Sequence, residues 1–310
     1  MSLSNVALIG IGAVGGVYAR YLHDTYGKNF YIVAEGKRKE RIEQYGITVN
    51  GNIYHPQVIS PEEKNIKMDL ILFGVKNYDL EQAIQDVKNI VKEETILLPL
   101  LNGITASDRL REAYPQARTL LGLSMGIDAI RNEAGIVNTD DGVIQFGYED
   151  NSVMANEVGE VLNYLTKAGI NAKVFPDMKR MLWRKWMLNV GVNQVSAITG
   201  SKFKYFGKHE ELLILFRKAM LEVLEIAKAA QVNLTMEDVQ KIEKVIIRFT
   251  PEGKTSMLQD VEASRRTEID YFAGTVIEYG KRYHVPTPVN EVLYLTLKAR
   301  EKIYLEKSAD

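Results

Sequence analysis

Near its start the chain runs from a short apolar stretch, Val6-Ala7-Leu8-Ile9, directly into Gly10-Ile11-Gly12-Ala13-Val14-Gly15. Behind that, Val17, Tyr18 and Tyr21 continue at helical spacing. No other feature restricts the fold as tightly. In a strand–glycine loop–helix unit, Gly10 permits the tight turn, Gly12 lets the backbone approach a pyrophosphate, and Gly15 lets the helix pack on the strand. The helix N-terminus then offers unpaired N–H groups to the phosphates. A GxGxxG run alone is a weak signal; placed between a strand and a helix it reads as a dinucleotide site. Gly10, Ile11, Gly12, Ala13, Val14 and Gly15 are its expected cofactor-binding residues.

The 310 residues suit two domains of ordinary size. Up to about residue 175, β-branched or leucine-rich runs at 6–9, 30–33, 70–75 and 96–100 alternate with helical patterns at 14–26, 79–91 and 105–113, the rhythm of a parallel α/β sheet. Asn50-Gly51 and Asp141-Gly142 read as hairpin turns, so the sheet is expected to be mixed at one edge. After Phe175-Pro176-Asp177 the pattern becomes wholly helical, at 179–198, 210–231, 236–249, 256–283 and 290–305. The expected class is therefore α/β, a Rossmann-type dinucleotide-binding domain over 1–175 followed by an all-helical substrate and catalytic domain over 176–310.

Charge and composition exclude several functions. The formal net charge of −1 gives no field for a nucleic acid backbone or an anionic membrane. It divides into 17 basic against 22 acidic residues before the boundary and 22 against 18 after it. With no cysteine there is no disulfide, thiolate metal site or thiol nucleophile. The four histidines, His23, His55, His209 and His284, lack ligand spacing, so no metal is expected. No run is long enough to span a bilayer, and residues 6–19 lack the basic flank of a signal peptide, so a cytoplasmic location is expected. Gly122-Leu123-Ser124-Met125-Gly126 fits GxSxG, but no helix pattern follows it as a nucleophile elbow requires.

Two further stretches carry chemistry. At Ala34-Glu35-Gly36-Lys37-Arg38, after the second strand, the adenosine ribose is read: Glu35 suits the 2′-hydroxyl of NAD(H), whereas Lys37 and Arg38 suit the 2′-phosphate of NADP(H). In the apolar helix beginning near residue 177, Lys185, Asn189, Asn193 and Ser196 form one polar stripe. The last three lie about 40°, 80° and 20° round the helix from Lys185. Asparagine is a poor helix former and a good ligand-binding group, so the stripe points to a cleft. A partly desolvated lysine there is a proton donor for a carbonyl oxygen that gains charge as hydride arrives at carbon.

These features occur together with Gly74-Val75-Lys76, Leu101-Asn102-Gly103, Trp183-Arg184-Lys185, Ser256-Met257-Leu258-Gln259-Asp260 and Thr267-Glu268-Ile269-Asp270-Tyr271. In this order, over nearly the whole chain, they resemble the ketopantoate reductases. The resemblance implies NADPH-dependent reduction of 2-dehydropantoate to pantoate, for pantothenate and coenzyme A synthesis, in a chain for which a homodimer is an allowed assembly. It implies Lys185 as general acid and substrate ligand, Asn189, Asn193 and Ser256 as substrate ligands, and Glu268 as a catalytic carboxylate near the reacting end of the cofactor. Lys76 would contact the cofactor, and Asn102 both cofactor and substrate. The sequence departs from the family at Glu35, where an arginine is common, and at Phe203, which falls closest to a further family asparagine. NAD(H), another 2-keto acid, and a non-catalytic dinucleotide sensor are the readings left open.

Overall fold

Four-residue runs that are apolar on both faces must be covered on both faces. The computed structural model, which describes residues 3–307, places them so. The chain divides into two units, Met1–Leu182 and Trp183–Asp310.

The first unit contains strands β1 (Val6–Ile9), β2 (Phe30–Val33), β3 (Ile47–Val49), β4 (Asn52–Tyr54), β5 (Gln57–Ile59), β6 (Leu70–Phe73), β7 (Ile96–Pro99), β8 (Arg118–Thr119), β9 (Leu121–Asn132), β10 (Gly135–Gly147) and β11 (Ala172–Val174). Its helices are α1 (Ala13–Tyr26), α2 (Gly36–Tyr45), α3 (Leu80–Val87), α4 (Ala106–Ala113) and α5 (Asn156–Lys167). Six strands form a parallel sheet in the order β5-β2-β1-β6-β7-β8. Val6 and Leu8 of β1 enter one core with Val17 of α1 and Val161 of α5, while Ala7 and Ile9 enter the other with Ala83 of α3 and Leu110 of α4. The connections run outward from β1 to β2 and then return to its other side at β6. This reversal of strand order puts a crevice at the carboxyl ends of β1 and β6.

The sheet is not mixed at its edge. The antiparallel hairpins belong to a second, five-stranded sheet, β11-β10-β3-β4 with β9 paired to β10. Asn50-Gly51 does turn between β3 and β4, with φ of 49° and 80°. Asp141-Gly142 instead lies inside β10, beyond a register shift between Asn138 and Asp140, and the β9–β10 connection is at residues 133–134. The glycine of that pair serves a close approach to Met125 and Ile127 of the paired strand.

Helix α6 (Met178–Thr199) leads into the second unit, which continues with α7 (Phe203–Phe206), α8 (Glu210–Ala229), α9 (Met236–Ile246), α10 (Ser256–Glu262), α11 (Ala273–Tyr283) and α12 (Pro288–Lys307). Helix α8 packs against α9, α11 and α12. Gly191 sits inside α6 because a Cβ there would lie 2.5 Å from the Phe216 ring of α8. The single helix expected over 256–283 is two. Ser264 adopts φ 51°, and Arg265 N–H bonds back to the Asp260 carbonyl at 2.8 Å, a Schellman-type closure made without glycine. Among the described residues no helix is long and apolar enough to cross a membrane.

Candidate functional site

The glycine loop is shaped by close backbone approach. Gly10 has φ +95°, and a Cβ there would lie 2.5 Å from Val75 N; one on Gly15 would collide with the Gly10 carbonyl. Gly12 differs: a Cβ would meet only the Gly74 carbonyl oxygen, at 4.0 Å, so this position borders open space. Gly12 is also the N-cap of α1, where no side chain caps the helix and no acidic residue stands in the first turn. Two glycines thus close the turn, and the third leaves room for a phosphate at the positive end of a helix.

The next two loops at the carboxyl ends of the sheet are tied together. Lys76, half-buried, follows β6 and precedes the single turn Asn77–Asp79. Asn102 lies beyond β7, and its carbonyl accepts a 2.8 Å bond from Nδ2 of the buried Asn77. Asn77 was not marked by the sequence motifs, because its work is to hold a neighbouring loop.

Lys37 and Arg38 do not lie in a loop; they occupy the first turn of α2, with Glu35 as its N-cap. All three are exposed, and the Glu35 side chain makes no capping bond. A residue absent from the sequence expectations approaches here. Arg131, near the end of β9, donates from a guanidinium nitrogen to the Ile11 carbonyl of the glycine loop at 2.5 Å. The two residues are 120 positions apart and no local pattern connects them.

In the second unit, α6 carries Lys185, Asn189 and Asn193 on one face. Lys185 and Asn189 are half-buried and Asn193 is buried. Burial lowers the Lys185 ammonium from its ordinary value to about 8, opposed by the charge of Glu268. Glu268 is itself buried, 4% exposed. It is held from both sides: Thr267 N–H and Oγ1 donate to Glu301 Oε2 at 2.7 and 2.6 Å, and Trp186 Nε1 of α6 donates to the Tyr271 carbonyl at 3.1 Å. The lysine and the carboxylate, 83 residues apart in sequence, are thereby brought into electrostatic contact.

Ser196 leaves the polar stripe. It is fully buried, donates to the Ser201 carbonyl at 2.7 Å, and accepts from Thr255 Oγ1 at 3.1 Å. Thr255 is also the N-cap of α10, its Oγ1 accepting from Leu258 N–H. Ser256 therefore does not cap the helix; it is exposed in the first turn.

Two family models match the chain: "Ketopantoate reductase PanE/ApbA" over residues 6–151 and "Ketopantoate reductase PanE/ApbA C terminal" over 177–301. The 2-dehydropantoate 2-reductase of Pyrococcus horikoshii is 28% identical over 96% of this chain and 98% of its own length. Among solved structures, a putative 2-dehydropantoate 2-reductase from Enterococcus faecalis is 26% identical with a TM-score of 0.73, covering 97% of this chain and 99% of that one. The fold is shared as fully with a D-mandelate dehydrogenase crystallised with NADH and anilino(oxo)acetate, 24% identical with a TM-score of 0.85 over 97% and 99% of the two chains. With both family models matched in order and the relatives aligned nearly end to end, the chain belongs to the ketopantoate reductase family.

Proposed function

We propose that this chain reduces the ketone of 2-dehydropantoate to pantoate with NADPH, in the cytoplasm, residues 1–175 binding the dinucleotide and 176–310 binding the substrate. The observation that carries the proposal is Lys185, whose ammonium burial lowers to about 8, set against the buried carboxylate of Glu268. A lysine with its ordinary pKa is a poor acid at neutral pH, and a fully neutralised one has no proton to give. One near 8 is still charged at pH 7 and releases its proton at lower cost.

The glycine loop fits a dinucleotide: the open side of Gly12 and the uncapped start of α1 would take the pyrophosphate, with Lys76 and Asn102 beside it. When bound, the reduced nicotinamide supplies the hydride. Lys185 donates to the ketone oxygen and neutralises the charge that grows there, while Glu268 keeps the ammonium protonated beforehand. Asn189, Asn193 and Ser256 orient the substrate, Ser256 offering its hydroxyl and the first-turn N–H groups of α10 to the carboxylate.

A second reading, a reductase of another 2-keto acid, is favoured by Phe203. Its ring packs edge-on to Phe249 at 5.0 Å, an apolar contact at the residue that falls closest to a further family asparagine. Steady-state kinetics with NADPH and a panel of 2-keto acids decides between them. A kcat/KM highest for 2-dehydropantoate supports the first reading, and a preference for a more apolar keto acid the second; absence of turnover with every member of the panel removes both.

A further inference from the structure

Ser196 and Thr255 are shut inside the second unit, 0% and 4% exposed, and their hydroxyls meet across 59 positions of sequence. A hydroxyl carries one proton and can donate once. Ser196 Oγ donates to the Ser201 carbonyl at 2.7 Å, so in its contact with Thr255 Oγ1, at 3.1 Å, it accepts. Thr255 Oγ1, having donated there, accepts from Leu258 N–H at 3.1 Å. The hydrogen bonds therefore run in one direction, from the first turn of α10 through two side chains to the turn that ends α6. Neither hydroxyl has a second proton to give.

Both ends of this chain of bonds are anchored. Gly200 at φ 71° and a 3.1 Å bond from Ser201 N–H to the Ser196 carbonyl close α6, and Arg300 of α12 donates to the Ala197 and Ile198 carbonyls at 2.6 and 3.1 Å. On the other side, residues 250–255 run against the start of α7. Phe203 N–H bonds the Gly253 carbonyl at 3.1 Å, and Lys204 N–H bonds the Pro251 carbonyl at 3.0 Å. Gly253 permits this approach, because a Cβ there would lie 2.9 Å from the Phe203 ring. The segment that enters α10 is thus seated on the end of α6.

On α6, Ser196 stands about 20° round from Lys185 and about 4.5 Å along the axis beyond Asn193. Thr255 therefore meets the helix on the line of the candidate substrate ligands, and the next residue is Ser256, whose side chain is exposed. We propose that Ser196 and Thr255 are positioning residues for the reduction: their hydroxyl pair registers the Ser256 hydroxyl against the Lys185, Asn189 and Asn193 face, so that one 2-keto acid is held by both. Neither hydroxyl touches the substrate. This deepens the substrate reading of Ser256 and of α6, and it rests on that reading.

The test is steady-state kinetics with NADPH and 2-dehydropantoate on the full-length wild type, Ser196→Ala, Ser256→Ala and the double variant, beside their melting temperatures. Ser196→Ala removes the tie and leaves the Thr255 cap on Leu258 in place. It should raise KM for the keto acid about three- to tenfold, at most what loss of the Ser256 hydroxyl itself costs, with KM for NADPH unchanged within about twofold. In the Ser256→Ala background the same substitution should add less than about twofold, because the hydroxyl it positions is gone. Thr255→Val should raise KM as Ser196→Ala does, and Thr255→Ser, which keeps both hydroxyl bonds, should restore it. No turnover in the wild type removes the reductase reading and this proposal with it. An unchanged KM in Ser256→Ala removes Ser256 as a substrate ligand and leaves nothing to position. If Ser256→Ala raises KM while Ser196→Ala lowers only the melting temperature, or if the two effects on KM multiply in the double variant, the substrate reading stands. The positioning role is then overturned, and the hydroxyl pair serves packing alone.

Discussion

The glycine loop of the first unit and the Lys185 face of the second carry their chemistry in different material. The loop offers backbone N–H groups, and its side chains matter by being absent: Gly10 and Gly15 permit contacts that a Cβ would block, and Gly12 leaves a gap. On α6 the candidate groups are side chains, and the Lys185 ammonium is set first by burial and then, in opposition, by the charge of Glu268, 83 residues away. A site made of backbone is specified locally and survives changes elsewhere. One made of side chains is specified by packing, and each member is tuned by the rest.

The largest effect expected from this contrast is at Lys185. Lys185→Ala should lower kcat by about 10² to 10⁴, the usual range for a positioned acid, with dinucleotide affinity nearly unchanged. If Lys185 is the acid, wild-type kcat should hold below pH about 8 and fall above it, because the ammonium is lost as pH rises through its pKa. The variant should lack that alkaline limb. Near-full kcat in Lys185→Ala would move the acid elsewhere and leave α6 as a binding surface.

The loop can be divided by two single methyl groups. Gly15→Ala drives a Cβ into the Gly10 carbonyl, a backbone atom that cannot rotate away, and should cost about 3 kcal/mol of stability together with dinucleotide binding. Gly12→Ala meets nothing nearer than 4.0 Å. It should keep the melting temperature within about 2 °C, yet weaken dinucleotide binding by about tenfold or more, because the methyl occupies the phosphate's space. Thermal melts with and without the dinucleotide separate the two. A Gly12→Ala protein that binds normally would place the pyrophosphate away from this turn.

These differences in material also decide what is legible in the sequence. The loop is legible because glycine at fixed spacing between a strand and a helix has few other uses. So was the alternation that builds the parallel sheet, and the polar stripe from Lys185 to Asn193 on an otherwise apolar helix. The second sheet was not, because its hairpins carry the same turn signals whether they extend the first sheet or stand apart, and β3 pairs with β10 across more than 80 residues. The break at Ser264 was hidden because the left-handed residue is not glycine. Ser196 looked like its neighbours on the stripe until Thr255 and Ser201 claimed its hydroxyl. Arg131 belongs to the same class: its significance lies wholly in where the β9–β10 hairpin lands.

Within the second unit, adjacent residues at the start of α10 should separate by role. Thr255 is buried, caps the helix and bonds Ser196, so Thr255→Ala should cost about 1 kcal/mol and lower the melting temperature by a few degrees. Ser256 is exposed beside it, and Ser256→Ala should leave the melting temperature unchanged while raising KM for the keto acid by about tenfold, a hydrogen bond to a charged group. A lower melting temperature with unaltered KM in Ser256→Ala would remove it from the substrate site.

The smallest expected effect is also the one that sets the two cofactors against each other. Glu35 occupies the N-cap position of α2 without a capping bond and is exposed, one helical turn from Arg38. A carboxylate in that place attracts a ribose diol and repels a 2′-phosphate, yet the repulsion acts through water and is screened, so its effect is small. Glu35→Gln keeps the size of the side chain and removes its charge. At low ionic strength it should raise kcat/KM for NADPH about three- to fivefold and lower that for NADH by a similar factor, less than about 1 kcal/mol for either cofactor. Added salt should shrink the NADPH gain, since a screened charge has less to remove. A change in both cofactors in the same direction would mean that Glu35 acts on the helix start and not on the ribose.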